Sequence, residues 1–357
     1  MNTNGHESIH IKNQKSRTHS LGLIGLGDIV HKHVATVNEL EEFEITALCD
    51  MNRERLDQWQ GRIGGHAFTD CSKLLAATPD VVVVSLPHAL HAPVTIEALE
   101  AGCHVIVEKP MAVTVHDCRR MLETARRCGR SLIVAEGGCF EPGVVETGRR
   151  FSRGELGRFL TGSIVNARHY FHEGRPQWFL DAQASGGGMF CNVGVHRLAN
   201  ARGCLPGQHP VSVTATSAHV PEHPVEACTS ALVRYRGGGS MLYEEVGYFK
   251  KPPWQNTGSH FVFEEGIVGW DETSWRMMSR RGEEVSHPLP PADATYAPVY
   301  RNLLLAMEGK PHAPKTWEFA VDATIAQAAY ESARTGGTVD LMDEAWRIDE
   351  RRTEDDQ

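Results

Sequence analysis

Residues 104–110 read HVIVEKP, an apolar run that is typical of a buried strand and is followed at once by a lysine. In an open α/β sheet, ligands bind in the crevice at the carboxyl ends of the parallel strands. Lys109, between Glu108 and Pro110, is therefore predicted to stand at such a crevice. A lysine at the end of a buried strand is poorly explained as a solvated surface residue, so we interpret it as a functional group.

Around this stretch, short apolar runs alternate with amphipathic stretches from Leu21 to about Val134. This alternation is typical of successive βαβ units with a parallel sheet. The runs that we predict as strands cover residues 21–26, 45–49, 81–86, 104–107 and 132–135. The predicted helices cover residues 30–40, 53–60, 71–77, 93–101 and 115–128. The prediction for residues 20–138 is a doubly wound, dinucleotide-binding (Rossmann) domain.

After this half the pattern changes, because apolar runs with Gly or Pro breaks follow one another directly. They lie at 159–171, 211–220, 226–235, 240–248, 259–264, 267–270 and 274–278. Consecutive strands without intervening helices imply an antiparallel or mixed sheet. Helical spacing is found at 144–153, 298–307 and 316–335, and the last helix is expected to pack back on the first domain. We predict a second α/β domain over residues 139–340, between a disordered leader (1–19) and a charged tail (341–357).

Composition excludes several classes of partner. The 357 residues carry a formal charge of -9, which argues against nucleic acid or an anionic membrane surface. No run approaches the ~20 apolar residues that cross a bilayer, and the first nineteen residues lack the apolar core of a signal peptide. The nine cysteines are scattered, without a C-x-x-C pair. They predict reduced thiols in a cytoplasmic protein, without a disulfide framework or a metal site.

A glycine turn near the start of the chain indicates the ligand. Gly25 permits a tight turn after the first strand, and Gly27 lets a pyrophosphate approach the backbone at a helix N-terminus. The next residues at this helix start, and therefore further candidates for cofactor binding, are Asp28 and Ile29.

The next predicted strand ends at Asp50, 23 residues after Gly27. Its carboxylate can accept hydrogen bonds from the adenosine ribose hydroxyls and repel a 2′-phosphate. NAD is therefore predicted over NADP, although Arg53 and Arg55 follow closely and either could reach a 2′-phosphate.

Two loops are expected to line the nicotinamide side of the crevice, since each follows a predicted strand. One is SLPHALH at 85–91 and the other is the 108–110 turn. The histidines of the first loop are interpreted as structural rather than catalytic, because a helix start commonly uses such residues for capping and packing. The residues assigned to the cofactor here are Ser85, Leu86, Pro87, His91, Glu108, Lys109 and Pro110.

Together these elements resemble one family, the glucose-fructose oxidoreductase and inositol dehydrogenase family, often written Gfo/Idh/MocA. The similarity covers residues 21 to about 336. It is carried by the 25–27 turn with His33, the 87–91 loop, ALEAGCHV at 98–105 running into EKPMA at 108–112, and GGGMFCNVGVH at 186–196.

The resemblance implies an NAD- or NADP-dependent enzyme that acts mostly on sugars, sugar nucleotides, inositols and related cyclic alcohols. It also implies a Rossmann domain followed by an α/β domain with a large, mainly antiparallel sheet. In the family, the open face of that sheet commonly forms dimers or tetramers, so a homodimer or homotetramer is expected.

The resemblance further assigns the catalytic pair. The family's lysine maps onto Lys109, in a loop whose peptide bond before Pro110 is often cis, and its catalytic histidine maps onto His196. The aspartate that usually precedes this histidine by four residues is Asn192 here, and a second frequent aspartate, four residues after it, is Asn200.

Oxidation of an alcohol requires a base for the hydroxyl proton, and reduction requires the same group as an acid. His196 suits this role, with an unperturbed pKa of about 6.5. Lys109 can donate to the substrate oxygen and should depress the proton affinity of a nearby histidine. Because Asn192 carries no charge, His196 is expected to be less basic than with an aspartate there, and Asn192 to orient the substrate. Lys109 would then share the proton transfer, or reduction would be the natural direction.

Substrate contacts are predicted from the start of the second domain. Arg168 and Tyr170 lie along its first predicted strand, and Trp178 follows in a loop that could cover the cleft. A tryptophan beside an arginine suits a polyhydroxylated ring, although ordinary strand and loop residues fit the pattern equally well. The segment around Trp254 is compatible with either the cleft or a subunit interface.

The leading hypothesis is a cytoplasmic NAD(P)-dependent dehydrogenase or reductase of a sugar, sugar derivative or cyclic polyol. Aromatic dihydrodiols and cyclic imines also fit as substrates. An alternative is a lyase or glycoside-cleaving enzyme with tightly bound, recycled NAD. A third hypothesis is a non-enzymatic nucleotide-sensing regulator, against which the intact Lys109 and His196 count.

Overall fold

Two β-sheets organise the chain. The computed structural model describes residues 18–248, 250, 259–271, 273–291 and 296–348. The predicted leader up to residue 17, the segment around Trp254 and the tail from residue 349 lie outside these ranges.

The first sheet is parallel and has six strands. They are β1 (His19–Ile24), β2 (Phe43–Cys49), β3 (His66–Phe68), β4 (Val81–Val84), β5 (His104–Glu108) and β6 (Leu132–Ala135), in the order β3-β2-β1-β4-β5-β6. The connecting helices are α1 (Val30–Glu39), α2 (Arg53–Ile63), α3 (Cys71–Ala76), α4 (His91–Glu100) and α5 (Val115–Cys128). This order confirms the predicted doubly wound fold. Because the winding reverses between β1 and β4, the ligand crevice lies at their carboxyl ends.

The apolar runs form these strands because both faces of the sheet are covered. All four valines of β4 are fully buried, as expected for the centre of a parallel sheet.

The residues at the two ends of α5 explain where this helix begins and stops. Thr114 accepts a hydrogen bond from the backbone N–H of Asp117 at the start, and Gly129 ends the helix in a left-handed conformation at φ +59°.

The second sheet has nine strands and is mainly antiparallel, as predicted. After α6 (Pro142–Ser152), the chain forms β7 (Phe159–Ala167), α7 (Ala182–Ser185), α8 (Val195–Cys204), β8 (Pro210–Ala218), β9 (Cys228–Tyr235), β10 (Ser240–Val246), β11 (His260–Phe263), β12 (Gly266–Trp270), β13 (Ser274–Ser279), β14 (Glu284–Pro288) and β15 (Val339–Asp340). The strand order is β14-β13-β12-β11-β7-β10-β9-β8-β15, and of these pairs only β7 and β10 are parallel.

Some predicted bounds differ from the structure. The strand predicted to reach residue 171 ends at Ala167, because the chain turns there into a loop. The edge strand β14 was not predicted, since its residues are polar and largely exposed and show no apolar alternation. The histidine motif enters α8 through a five-residue π-helical turn, Phe190–Gly194.

Two C-terminal helices join the sheets. In α9 (Ala297–Met307), Val299, Tyr300 and Leu303 pack into the core under the first sheet, although the chain order places this helix after the second domain begins. In α10 (Thr316–Thr335), Phe319 and Ala320 pack into the first domain's core, whereas the half from Ile325 to Ala329 packs into the core of the second. Both sheets are therefore tied to one helix.

No helix in the described ranges is both long and apolar enough to cross a membrane. All nine cysteines fall within these ranges, and none of them forms a disulfide.

Candidate active site

The glycine turn after β1 is shaped by two different requirements. Gly25 has φ +88°, and a Cβ added there would lie 2.2 Å from the carbonyl oxygen of Ser85. The Ser85 hydroxyl also donates to the Gly25 carbonyl at 2.8 Å, so the turn is held against the end of β4. At Gly27, by contrast, an added Cβ would meet no atom within 4 Å. The open space beside Gly27, next to the start of α1, fits the pyrophosphate of a dinucleotide.

Asp50 fixes the same turn from the end of β2. Its Oδ2 accepts a hydrogen bond from the backbone N–H of Leu26 at 2.9 Å, and its Oδ1 accepts one from the N–H of Asn52 at 2.8 Å. Arg55 also pairs with Oδ2, at 3.1 Å, whereas Arg53 is exposed at the start of α2. The carboxylate is thus in place beside the turn, at the predicted ribose position.

Around the turn, Asp28 is exposed and its carbonyl contacts the His31 ring, while Ile29 is partly buried against the core of the first domain. The sequence analysis did not single out Met51, whose side chain is 89% exposed directly after Asp50. The signal for it was available, because it follows the acidic residue at the end of β2. Its thioether offers an apolar surface on the adenosine side of the crevice.

His91 connects the two loops at the nicotinamide side. Its buried ring lies between two backbone carbonyls, with Nε2 2.9 Å from the oxygen of Leu86 and Nδ1 2.8 Å from that of Pro110. Burial lowers the pKa of His91, which favours the neutral ring. A neutral imidazole has one N–H and can donate to only one of these carbonyls at a time. Because both ring nitrogens contact backbone carbonyls, His91 connects the two loops.

The side chain of Glu108 is buried and contacts His33. It is 6% exposed, its Oε1 lies 3.1 Å from Nε2 of His33, and Nδ1 of His33 lies 3.0 Å from the hydroxyl of Tyr300. Burial opposes ionisation of Glu108, but the His33 contact and the charge of Lys109 bring its pKa below the usual value. We infer that Glu108 anchors the loop from beneath.

Lys109 points into the cleft and meets the second domain there. Its Nζ donates to the backbone oxygen of Asn192 at 2.9 Å and to Oδ1 of the same residue at 3.1 Å. The peptide bond to Pro110 is cis, as in the family that the sequence resembles. Burial lowers the pKa of Lys109, although the carboxylates of Glu108 and Glu136 oppose this effect. Asn192, 5% exposed, therefore orients the ammonium group through two acceptors.

His196 lies in the first turn of α8, and its side chain is 36% exposed. Its Nδ1 lies 2.6 Å from Oε2 of Glu136, the residue that follows β6. The two atoms are close enough for an ion pair, but they are not aligned as in an ideal hydrogen bond. Burial lowers the pKa of His196; Glu136 opposes this, and Lys109 adds to it.

The carboxylate beside His196 was not predicted from the sequence, which offered only the uncharged Asn192 in the histidine motif. Asn192 indeed carries no charge, but Glu136 supplies one from the first domain. The expected low basicity of His196 agrees with the direction of its pKa shift, with burial as the largest cause. The only signal in the sequence was that Glu136 follows a predicted strand at the same sheet edge as Lys109.

The loop after β7 forms an aromatic cluster at the entrance. Tyr170 is fully buried under the guanidinium of Arg175, which lies 3.9 Å from the ring centroid, and its hydroxyl lies 3.5 Å from Nδ2 of Asn192. Burial raises the pKa of Tyr170 to about 12, so its hydroxyl stays protonated. Tyr170 thus supports Asn192 from behind and does not line the cleft with its ring.

The remaining predicted substrate residues are accessible. Arg168 is exposed, and Trp178 is partly exposed. The indole of Trp178 stacks on Phe179 with a centroid separation of 3.7 Å and lies 4.8 Å from the buried ring of His88. The entrance loop is therefore packed against the 85–91 loop, and the interpretation of His88 as structural agrees with this contact.

Comparison with protein families gives two matches. The model of the oxidoreductase family with an NAD-binding Rossmann fold, Gfo/Idh/MocA, matches residues 20–136, and a C-terminal domain model of the same family matches residues 145–248.

Among curated relatives, the D-glucoside 3-dehydrogenase of Escherichia coli K12 is 32% identical over 202 residues, which are 55% of this chain and 57% of that protein. A 1-carboxy-3-chloro-3,4-dihydroxycyclohexa-1,5-diene dehydrogenase of Comamonas testosteroni is 28% identical over 256 residues, 70% of this chain and 60% of that protein. A glycosyl hydrolase family 109 protein of Shewanella baltica is 30% identical over 168 residues, 44% of this chain and 36% of that protein. The chain thus spans about half the length of the curated relatives that it matches.

Solved structures share the fold. An aldose-aldose oxidoreductase of Caulobacter crescentus, complexed with glycerol, superposes with a TM-score of 0.78 at 23% identity, covering 91% of this chain and 100% of that one. A levoglucosan dehydrogenase in complex with NADH and levoglucosan superposes with a TM-score of 0.80 at 19% identity, covering 92% and 100%.

Proposed function

The chain belongs to the Gfo/Idh/MocA family of oxidoreductases, whose first domain is an NAD-binding Rossmann fold, and on this premise we propose that it is an NAD-dependent oxidoreductase. It transfers hydride between nicotinamide and the hydroxyl or carbonyl carbon of a sugar, a sugar derivative or a cyclic polyol. The observation that carries this proposal is a pair of hydrogen bonds. The Lys109 ammonium donates both to Asn192, which belongs to the same motif as His196.

The described residues fit NAD. The open space at Gly27 would accept the pyrophosphate, Asp50 would bind the ribose, and the backbone of the 85–87 and 109–110 segments would line the nicotinamide side. The dinucleotide, when bound, supplies the hydride acceptor for an alcohol. Asp50 repels a 2′-phosphate, and the nearest arginine, Arg55, is already paired with that carboxylate. These contacts support NAD over NADP.

Proton transfer is assigned to two groups. Lys109 donates a hydrogen bond to the substrate oxygen and stabilises negative charge there. His196 takes the hydroxyl proton on Nε2, the ring nitrogen that does not contact Glu136. Burial holds the pKa of His196 below the usual value, which favours the neutral ring that can accept a proton. In reduction the protonated ring returns the same proton.

The substrate is assigned to the cleft beneath the entrance loop. Arg168 offers an exposed cation, and Trp178 offers an aromatic surface for a sugar ring. The names of the relatives support this class, since one is a glucoside dehydrogenase and another acts on a dihydroxylated ring.

A second candidate is a glycoside-cleaving enzyme with recycled NAD, which the match to glycosyl hydrolase family 109 proteins favours. The same pair of groups would serve transient oxidation of a ring hydroxyl. In that case the cofactor would be restored in every turnover.

We further propose a cytoplasmic homodimer or homotetramer. The nine unpaired cysteines support a reducing compartment. Ile267 and Met278 lie opposite each other on β12 and β13 and are 49% and 46% exposed. This apolar surface supports assembly through the open face of the second sheet. Light scattering of the wild type and of an Ile267→Lys, Met278→Lys variant tests it, because the charges should yield monomers.

A single-turnover experiment tests the activity. Stoichiometric protein and NAD are mixed with sugars, sugar nucleotides, inositols, dihydrodiols and glycosides, and the absorbance of reduced nicotinamide is followed. A lasting rise that is lost in Lys109→Ala and His196→Ala supports the dehydrogenase. A transient rise with a cleaved product supports the recycling enzyme. If none of these compounds reacts although NAD binds tightly, the proposed activity is contradicted.

A further inference from the structure

Glu136 is a buried carboxylate to which the proposed cofactor site and proton transfer assign no role. It is 2% exposed, and a charge in such a position is costly unless it is paired. Its Oε1 accepts a hydrogen bond from the backbone N–H of Gly138 at 2.7 Å, and its Oε2 lies 2.6 Å from Nδ1 of His196. In the described part of the chain, no other donor approaches Oε2. The carboxylate is therefore committed to the histidine.

The backbone at both ends of this contact is fixed. β6 pairs with β5 so that Ala135 lies opposite Glu108, and Glu136 and Lys109 therefore leave the sheet side by side. With its amide oriented to satisfy its neighbours, Asn200 donates to the carbonyl of His196 at 2.8 Å and to that of Gly138 at 3.3 Å. Asn200 thus holds the start of α8 against the loop that carries Glu136.

The approach of the two elements requires glycine at position 138. A Cβ on Gly138 would lie 2.2 Å from the side-chain amide of Asn200 and 3.0 Å from Oε1 of Glu136. Space is therefore left for the carboxylate and the amide but for no side chain between them.

We propose that Glu136 is the positioning residue of His196, with its carboxylate on Nδ1 so that Nε2 faces the substrate. When Nε2 takes the hydroxyl proton, the positive charge on the ring is balanced by Glu136, which itself stays ionised. The carboxylate that is absent at Asn192 in the histidine motif is thus supplied across the domain boundary. Catalytic contacts are often poorly aligned before substrate binds and tighten afterwards, so a small ring rotation brings the pair into line.

This inference rests on the proposed function, but part of its test needs no substrate. The titration of His196 is followed by NMR on histidine-labelled protein, with the signal assigned by its loss in His196→Gln. Glu136→Gln keeps the shape of the side chain and removes its charge. The pKa of His196 should fall in this variant, because the anion that favours the imidazolium is gone. An unchanged titration would overturn the proposal, whatever the activity of the protein.

Turnover provides the second readout. Glu136→Gln should lower kcat by about 10- to 1000-fold and leave NAD affinity unchanged, and the acid limb of kcat/KM should move to lower pH. Glu136→Asp keeps the charge and should recover part of the rate. The matched control is Glu146→Gln on α6, a carboxylate paired with Arg149 and Arg150, which should change neither quantity.

The outcomes separate the two ideas. A lower His196 pKa without turnover of any compound supports the role of Glu136 on the ring and contradicts the proposed function. A loss of turnover with an unmoved His196 titration, and no recovery in Glu136→Asp, would mean that Glu136 is merely structural. If Glu136→Gln fails to fold, the Glu136→Asp titration decides, since retraction of the carboxylate should also lower the pKa of His196.

Discussion

Alanine at Gly27 should weaken NAD binding without destabilising the protein. No atom lies within 4 Å of the added Cβ, and Gly27 has no positive φ, so the unfolding free energy should change by no more than about 0.5 kcal/mol. The methyl group fills the space where the pyrophosphate meets the backbone. Loss of one hydrogen bond to a charged group costs about 1.5–3 kcal/mol, which corresponds to a rise in Kd of about 10- to 150-fold.

Thermal unfolding with and without NAD measures both quantities. At an NAD concentration of about 100 Kd, the wild type should gain about 2.7 kcal/mol, whereas a variant with a 100-fold higher Kd should gain about 0.4 kcal/mol. Calorimetric titration gives the two dissociation constants directly.

Gly25→Ala is the matched comparison in the same turn. Its Cβ would meet the Ser85 carbonyl at 2.2 Å in a backbone conformation of positive φ, so it should cost about 2–4 kcal/mol of stability even without NAD. If Gly27→Ala binds NAD as tightly as the wild type, the assignment of the pyrophosphate to this turn is refuted. Equal stability losses in the two variants would refute the distinction between a steric and a ligand-binding glycine.

Three further predictions concern the crevice and the core of the second domain. Lys109→Met should lower kcat by about 100- to 10,000-fold with NAD affinity retained, while exposed Lys73→Met should not; equal kcat values in both variants would exclude the assigned role. Asp50→Ser should shift the ratio of NADP to NAD affinity upward by about 10- to 100-fold, as fluorescence titration of both cofactors would measure, with Asp57→Ser as the control. Burial raises the pKa of Glu245 to about 8, so its folded form holds a proton that the unfolded chain has released. The contribution of Glu245 to the free energy of unfolding is complete below the unfolded pKa of 4.5. It is lost as pH rises toward 8, at up to about 1.4 kcal/mol per pH unit. Urea unfolding should show this slope as the difference between the wild type and Glu245→Gln, and a pH-independent difference would contradict it.

The parts of the fold that the sequence predicts well are those with a local physical signal. Valine runs such as 81–84 can be buried only between two layers, and α5 was predicted to the residue because a threonine cap and a glycine stop lie at its ends. The strand β14 and the two-residue β15 were missed, since their pairing comes from neighbours and not from their own side chains.

The residues of the candidate site also divide into those that a local sequence signal indicates and those that it does not. Gly25, Asp50 and Lys109 follow strands of one sheet, so chain order alone brings them to one crevice. The contact of Glu136 with His196 joins residues 60 positions apart in two domains. The sequence places Glu136 after a predicted strand but does not specify its partner in the second domain. The burial of the Glu108 and Tyr170 side chains was not predicted for a related reason: a residue at the end of a strand can still turn its side chain into the core.

The helix α10, which contributes side chains to both cores, limits how substrate can be admitted. A rotation of one sheet against the other would remove Phe319 from the first core or Ile325 from the second. A hinge motion between the two domains is therefore disfavoured. The distance between Lys109 and His196 then stays constant throughout turnover. Entry of the substrate depends on the short segment around Trp178. Changes in that segment alone could alter the substrate range while the proposed proton-transfer pair, Lys109 and His196, stays in place.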